Sequence, residues 1–301
     1  MNNEHVQGQV HVQVHVQGLE HEHAQEHAQE HKHTQEHAQE HKYFADVHAD
    51  LASQFFGAMP HRVPDTDEIT QLRTKLDALP DDYDALMELA GKLDFQLRYR
   101  ESIPLYDQAL VIRPNEFKAL YERAARYFKT LQFERALADY VCCNEISPNN
   151  GAVLYRLGIT YYVMGKTTDA DRCFTHCIEL FSANPEMLVA SAYWLSLASL
   201  RGKTNNEIWK SYDFSLDTPH HCGYRDGLRV LCKIDDAEEM FEKWVKNTDT
   251  LNASIVLYAL SVYHRACGAE RRANEVFSIT LAIDEYWAGF AYIAAWAERI
   301  A

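Results

Sequence analysis

No apolar run in this 301-residue chain reaches the ~20 residues needed to cross a bilayer. The two longest, 188–200 and 287–297, both stop short. Positive charge is also scarce. Lys and Arg total 29 against 44 Asp and Glu, a net charge of −15, which argues against nucleic acid or an anionic membrane surface as the main partner. The seven cysteines are an odd number with no regular framework, so they read as reduced thiols, and a cytoplasmic location is expected. The opening MNNEHVQGQ has no basic stretch followed by an apolar core, so no export signal is expected. A glycine-rich phosphate loop, a G-x-S-x-G elbow and a paired-cysteine zinc spacing are all missing. The chain is therefore expected to be non-enzymatic and to require no cofactor.

Residues 1–42 differ from the rest. They hold ten of the sixteen His and no aromatic residue, and a four-residue period runs through them. A segment this polar cannot bury enough surface to offset its ordering entropy, so it is expected to be a disordered, His-rich tail. The pattern H-x-x-E-H occurs at His23–His27, His27–His31, His33–His37 and His37–His41. It matches a metalloprotease spacing, but a tandem AQEH repeat generates it automatically. Metal binding is a separate matter. In a helix, His23, His27 and His31 would share one face, as would His33, His37 and His41. Imidazoles one turn apart can hold zinc, nickel or copper loosely. The alternative is a solvated tail with incidental metal affinity.

Beyond the tail the apolar pattern is helical and repeats every thirty-four residues. Blocks 83–116, 117–150 and 151–184 align without a gap. Position four carries Leu86, Leu120 and Leu154; position eight, Ala90, Ala124 and Gly158; position eleven, Leu93, Tyr127 and Tyr161. Position twenty carries Ser102, Ala136 and Ala170; twenty-four, Tyr106, Tyr140 and Phe174; twenty-seven, Ala109, Cys143 and Cys177. Pro114 and Pro148 stand at position thirty-two, where the third block has Ser182. Small residues at eight and twenty let two antiparallel helices approach, large ones fill the gap, and proline stops the second helix.

This resembles the tetratricopeptide repeat (TPR), whose period is about 34 residues. The resemblance implies an all-α fold, a TPR-type α-solenoid of antiparallel helix pairs. The expected organisation is a tail over 1–42, lead-in helices within 43–82 and three regular repeats over 83–184. An irregular helical stretch over 185–253 then precedes a fourth repeat-like block and closing helix over 254–301. The lead-in helices are expected at 43–59 and 69–79, with a cap at Asp65 or Thr66. The closing helix is expected at 285–300. The order of units is similar to that of NlpI-like lipoproteins, bacterial TPR adaptors that work as dimers, although a lipoprotein signal like theirs is not expected from the opening residues. That similarity implies adaptor work and a homodimer.

In the resembling family, positions two, five, nine, twelve and thirteen line a concave groove. Here they include Phe95, Tyr121, Phe128, Tyr155, Ile159 and Tyr162, an aromatic set suited to a protein or peptide segment. The family's Lys, Arg and Asn carboxylate clamp is absent. Two readings stand. The set binds a partner, or the chain's own helices fill the groove and make these residues core. The cysteines are open in the same way. Cys143, Cys173 and Cys177 could join in a metal site, or act as compact core residues. His220, His221 and Cys222 form the other metal-like cluster. His264 reads as a packed or half-exposed histidine.

Overall fold

A computed structural model of the chain describes residues 64–204, 206–283 and 287–300. The tail, including all six candidate metal-binding histidines, and the 43–59 lead-in helix lie outside these residues. Among the described residues there are thirteen α-helices and one 3-10 turn, and no strand. No described helix is long and apolar enough to cross a membrane.

The lead-in helix α1 spans Asp67–Ala78, and Thr66 caps it by accepting from the Ile69 amide. Its one buried side chain, Ile69, packs on Leu89 and Leu93 of α2. Three helix pairs follow: α2 (Tyr83–Phe95) with α3 (Tyr99–Ile112), α4 (Phe117–Lys129) with α5 (Phe133–Ile146), and α6 (Gly151–Val163) with α7 (Thr167–Leu180). Each second helix packs on the first helix of the next pair. The irregular stretch holds α8 (Pro185–Gly202), the 3-10 turn Ile208–Ser211, α9 (Cys222–Leu231) and α10 (Ala237–Trp244). A fourth pair, α11 (Thr250–Ala266) and α12 (Glu270–Ala282), leads to the closing helix α13 (Phe290–Ile300).

The thirty-four-residue register holds in three dimensions. Leu86, Leu120, Leu154 and Leu257 are all buried at position four. Position twenty-seven is fully buried in all four units, as Ala109, Cys143, Cys177 and Thr280. Position eight is tightest in the third unit. A Cβ on Gly158 would lie 2.7 Å from the Phe174 ring, so only glycine lets α6 and α7 approach this closely.

One device escaped the sequence reading. Every pair turns through a left-handed residue at position fifteen: Leu97 (φ 59°), Leu131 (φ 60°), Gly165 (φ 73°) and Gly268 (φ 77°). The following amide reaches back to the position-eleven carbonyl each time. Arg98 donates to Leu93 at 2.9 Å, Gln132 to Tyr127 at 2.8 Å, Lys166 to Tyr161 at 2.9 Å and Ala269 to His264 at 2.8 Å. This is the Schellman closure of a helix end, satisfying carbonyls that the helix leaves unpaired. Two of the four carry leucine, so a search for glycine misses the motif.

The closing helix starts later than expected, at Phe290 and not 285. Gly289 immediately precedes it and is a poor helix former. The helix packs against α6, α11 and α12, and residues 291–297 are all buried.

Candidate functional site: the concave groove

The first helices α2, α4 and α6 present the groove positions, and their burial grades along the array. Position nine is exposed at Gly91, then buried at Ala125 and Ile159. Position thirteen is exposed at Phe95, half-buried at Lys129 and buried at Val163. Position five runs from half-buried Met87 and Tyr121 to buried Tyr155.

The closing segment causes the gradient. Phe290 lies edge-on to Phe128 and Tyr155, with ring centroids 5.6 and 6.3 Å away. Trp287 meets Tyr99 at 5.6 Å. Further along, the Tyr162 hydroxyl pairs with that of Tyr258 at 2.9 Å, and the Tyr162 ring packs edge-on to Trp194. Of the six residues read as partner-binding, Phe128, Tyr155, Ile159 and Tyr162 are therefore interior, in contact with the chain's own helices. At these four positions the chain's own helices fill the groove, the second of the two readings. Tyr121 is half-buried, and Phe95 is 90% exposed.

Charge is arranged unevenly along the same channel. Buried Asp94 accepts from Ser102 Oγ at 2.5 Å and Tyr106 OH at 2.6 Å, and pairs with Arg126 at 2.7 Å. Arg126 also pairs with Glu122 at 2.9 Å. On α13, Glu298 meets Arg201 at 3.4 Å and Arg265 at 2.9 Å and accepts from the Tyr258 hydroxyl. Between these paired groups lie two cations of another kind. Lys129 Nζ donates to the Ala288 carbonyl and sits 4.3 Å from the Phe290 ring centroid. Arg156 Nε donates to Tyr121 OH at 2.7 Å, and its guanidinium lies 5.5 Å from the same Phe290 ring. Burial, with help from Arg156 and then Arg126, pushes the Lys129 ammonium down to about 7. Arg126 and Arg156 were not among the residues singled out by sequence. Their positions, ten and six of the unit, fall outside the groove pattern, so the period alone did not flag them.

Towards the first repeat the groove opens. A cleft of about 430 Å³ lies between α2 and α4, lined by Tyr83, Asp84, Met87, Glu88, Arg113 and Lys118. A Cβ on Gly91 would meet nothing within 4 Å.

Among the described residues no group of three or more His, Cys, Asp or Glu is placed to hold a metal. Cys143 and Cys177 instead donate to the carbonyls of Phe117 and Gly151, each at 3.8 Å, an equivalent contact in two repeats. Burial pushes both thiols up to about 12, so they remain protonated core residues. His221 pairs with Glu186 at 2.6 Å and ties the connector to α8. His264 is buried, and burial lowers its pKa.

Comparison with solved structures gives the architecture its name. A tetratricopeptide repeat protein from Parabacteroides merdae superimposes with a TM-score of 0.51 at 16% identity, covering 84% of this chain and 99% of that one. The chain has the TPR fold. YrrB, a TPR protein described as having an unusual peptide-binding site, is similar at a TM-score of 0.41 and 14% identity, over 72% of this chain and 95% of its own. A double mutant of MamA is similar at 0.43 and 19%, over 56% and 86%. No family model and no curated protein matches the sequence.

Proposed function

We propose that this chain is a non-enzymatic TPR scaffold that holds a protein or peptide segment in the open, first-repeat end of its groove. The observation that carries this reading is Phe95. It is a large aromatic residue, 90% exposed, on the groove side of α2 beside half-buried Met87 and the free space at Gly91. An exposed aromatic at the open end of a groove is what a partner's side chain can cover. The covered aromatics then serve as the wall against which the docking end is held rigid. The reduced thiols suit a cytoplasmic scaffold, and a homodimer is the assembly implied by the resemblance to dimeric adaptors.

The test is photo-crosslinking in the cell from p-benzoylphenylalanine placed at Phe95, with the same group at Val111, 82% exposed on α3, as control. A partner trapped from position 95 and not from 111 supports the groove. The same proteins from both positions, or none from 95, contradict it.

A second reading, metal handling by the tail, is favoured by the one-turn spacing of His23, His27 and His31 and of His33, His37 and His41. Titration calorimetry of the full chain with zinc, nickel or copper tests it. Stoichiometric binding that disappears when all six become Gln supports metal handling, and binding unchanged by that substitution rejects it.

A further inference from the structure

The chain is acidic overall, yet two cations meet beneath the closing segment with no anion between them. Lys129 Nζ, on α4, donates to the Ala288 carbonyl and lies 4.3 Å from the Phe290 ring centroid. The Arg156 guanidinium, on α6, lies 5.5 Å from the same centroid. The other cations of the channel have carboxylates: Arg126 has Asp94 and Glu122, while Arg201 and Arg265 share Glu298. Among the described residues, Lys129 and Arg156 have none. Arg156 donates to Tyr121 and faces Tyr140 of α5, a phenol that burial keeps protonated, so neither neighbour supplies a charge. Neutral oxygens compensate a desolvated cation less well than a carboxylate does.

No peptide fits at this point. Phe290 is packed on Phe128 and Tyr155, and Trp287 is buried. Lys129 itself is half-buried, and the equivalent position one repeat back, Phe95, is exposed, so the amine borders the open end of the groove and is within reach of a small molecule. Its chemistry is set by its surroundings. Burial, then Arg156 from α6 and Arg126 one turn back on α4, holds the Lys129 ammonium down to about 7. Near neutral pH it therefore presents a free amine, which is a nucleophile as the ammonium is not.

We propose that Lys129 is a modification site for carbon dioxide, held as a carbamate whose carboxylate pairs with Arg156 while its remaining N–H stays on the Ala288 carbonyl. The Nζ lone pair forms the N–C bond as one C–O π bond opens onto oxygen, and the nitrogen releases one proton to solvent. R–NH2 and CO2 thus give R–NH–COO− and H+, with no oxidant, reductant or further reactant. Two cations lacking an anion become one ion pair. Carbon dioxide is small, linear and uncharged, so side-chain fluctuations that pass no peptide admit it. Below about 7 the proton competes for the amine, so the carbamate is expected to fall away with acid. The scaffold reading is independent of this site.

Chemical trapping on the full chain tests the proposal. The protein is equilibrated with isotope-labelled bicarbonate at about pH 7.5, between the values of Lys129 and of an ordinary lysine. Triethyloxonium then converts carbamates into stable ethyl esters, which are located by digestion and mass spectrometry. At this pH an ordinary lysine amine is free only about one time in a thousand, whereas Lys129 is mostly free, so the labelled adduct is expected at Lys129 and at no other described lysine. The chain's α-amino group, with an ordinary value of about 8, is the positive control. Unfolding in urea is expected to abolish the adduct at Lys129 and to leave that at the α-amino group. Arg156→Gln, verified as folded by circular dichroism, is expected to lower the Lys129 adduct about tenfold, the scale of one hydrogen bond to a charged group. The urea comparison uses the unaltered chain and does not depend on that variant folding. No adduct at Lys129 while the α-amino group is trapped, equal adducts in the folded and unfolded chain, or an adduct that Arg156→Gln leaves unchanged overturns the proposal.

Discussion

Positions nine and thirteen point the same way in every first helix, yet the two ends of the array give them opposite surroundings. In the first repeat they are Gly91 and Phe95, both open to solvent. In the third they are Ile159 and Val163, both sealed beneath the chain's own later helices. The repeat decides which face a residue joins. What lies above that face is decided by segments from outside the three repeats, and the repeat carries no information about them. One surface thus serves as core at one end and as an offered face at the other.

The largest expected effect separates the ends directly. Phe128→Ala removes a ring packed between Phe133 and Phe290 and is expected to cost about 3–5 kcal/mol of unfolding free energy. Phe95→Ala is expected to change stability by less than about 0.5 kcal/mol. Denaturant unfolding of the two variants measures both. Next comes the fastening of the closing helix. Glu298 is half-buried, its carboxylate held by two arginines and a tyrosine, so Glu298→Gln is expected to cost roughly 2–4 kcal/mol, enough to raise amide exchange in α13 before that in α6.

Lys129→Met is expected to stabilise the chain, on the order of 1 kcal/mol once partial exposure is allowed for. The sign with pH follows from the lowered value. Below about 7 Lys129 is charged both folded and unfolded, so its burial penalty is fully present. Between about 7 and 10.5 the unfolded chain holds the extra proton, so wild-type stability rises with pH and the gain from Lys129→Met disappears. Melting curves of both proteins across this range check it. The smallest effect is at the turns. Leu97→Gly relieves a left-handed backbone strained for leucine and is expected to add up to about 1 kcal/mol, while Gly165→Ala is expected to lose about as much.

The array was legible because it is local physics repeated. Small residues at positions eight, twenty and twenty-seven can sit only where two helices touch, and three aligned copies make the constraint visible. The groove positions could be listed for the same reason. Their burial could not be, because it depends on Phe290, Trp287 and Tyr258, which no period links to Phe128, Tyr99 or Tyr162. The cations at Lys129 and Arg156 were hidden similarly. Each sits on a helix whose sequence gives no sign that the Ala288 carbonyl, for Lys129, or the Phe290 ring, for Arg156, more than a hundred residues away, will cover it. The left-handed turn at position fifteen was missed because leucine at Leu97 and Leu131 disguises it.

The graded groove is tested most directly by hydroxyl-radical footprinting of the native full chain, read residue by residue by mass spectrometry. The expected result is rapid oxidation of Phe95, intermediate oxidation of Tyr121, and near-complete protection of Phe128, Tyr155 and Tyr162. Oxidation of Tyr155 and Tyr162 at the rate of Phe95, in a chain that remains folded, would contradict the account.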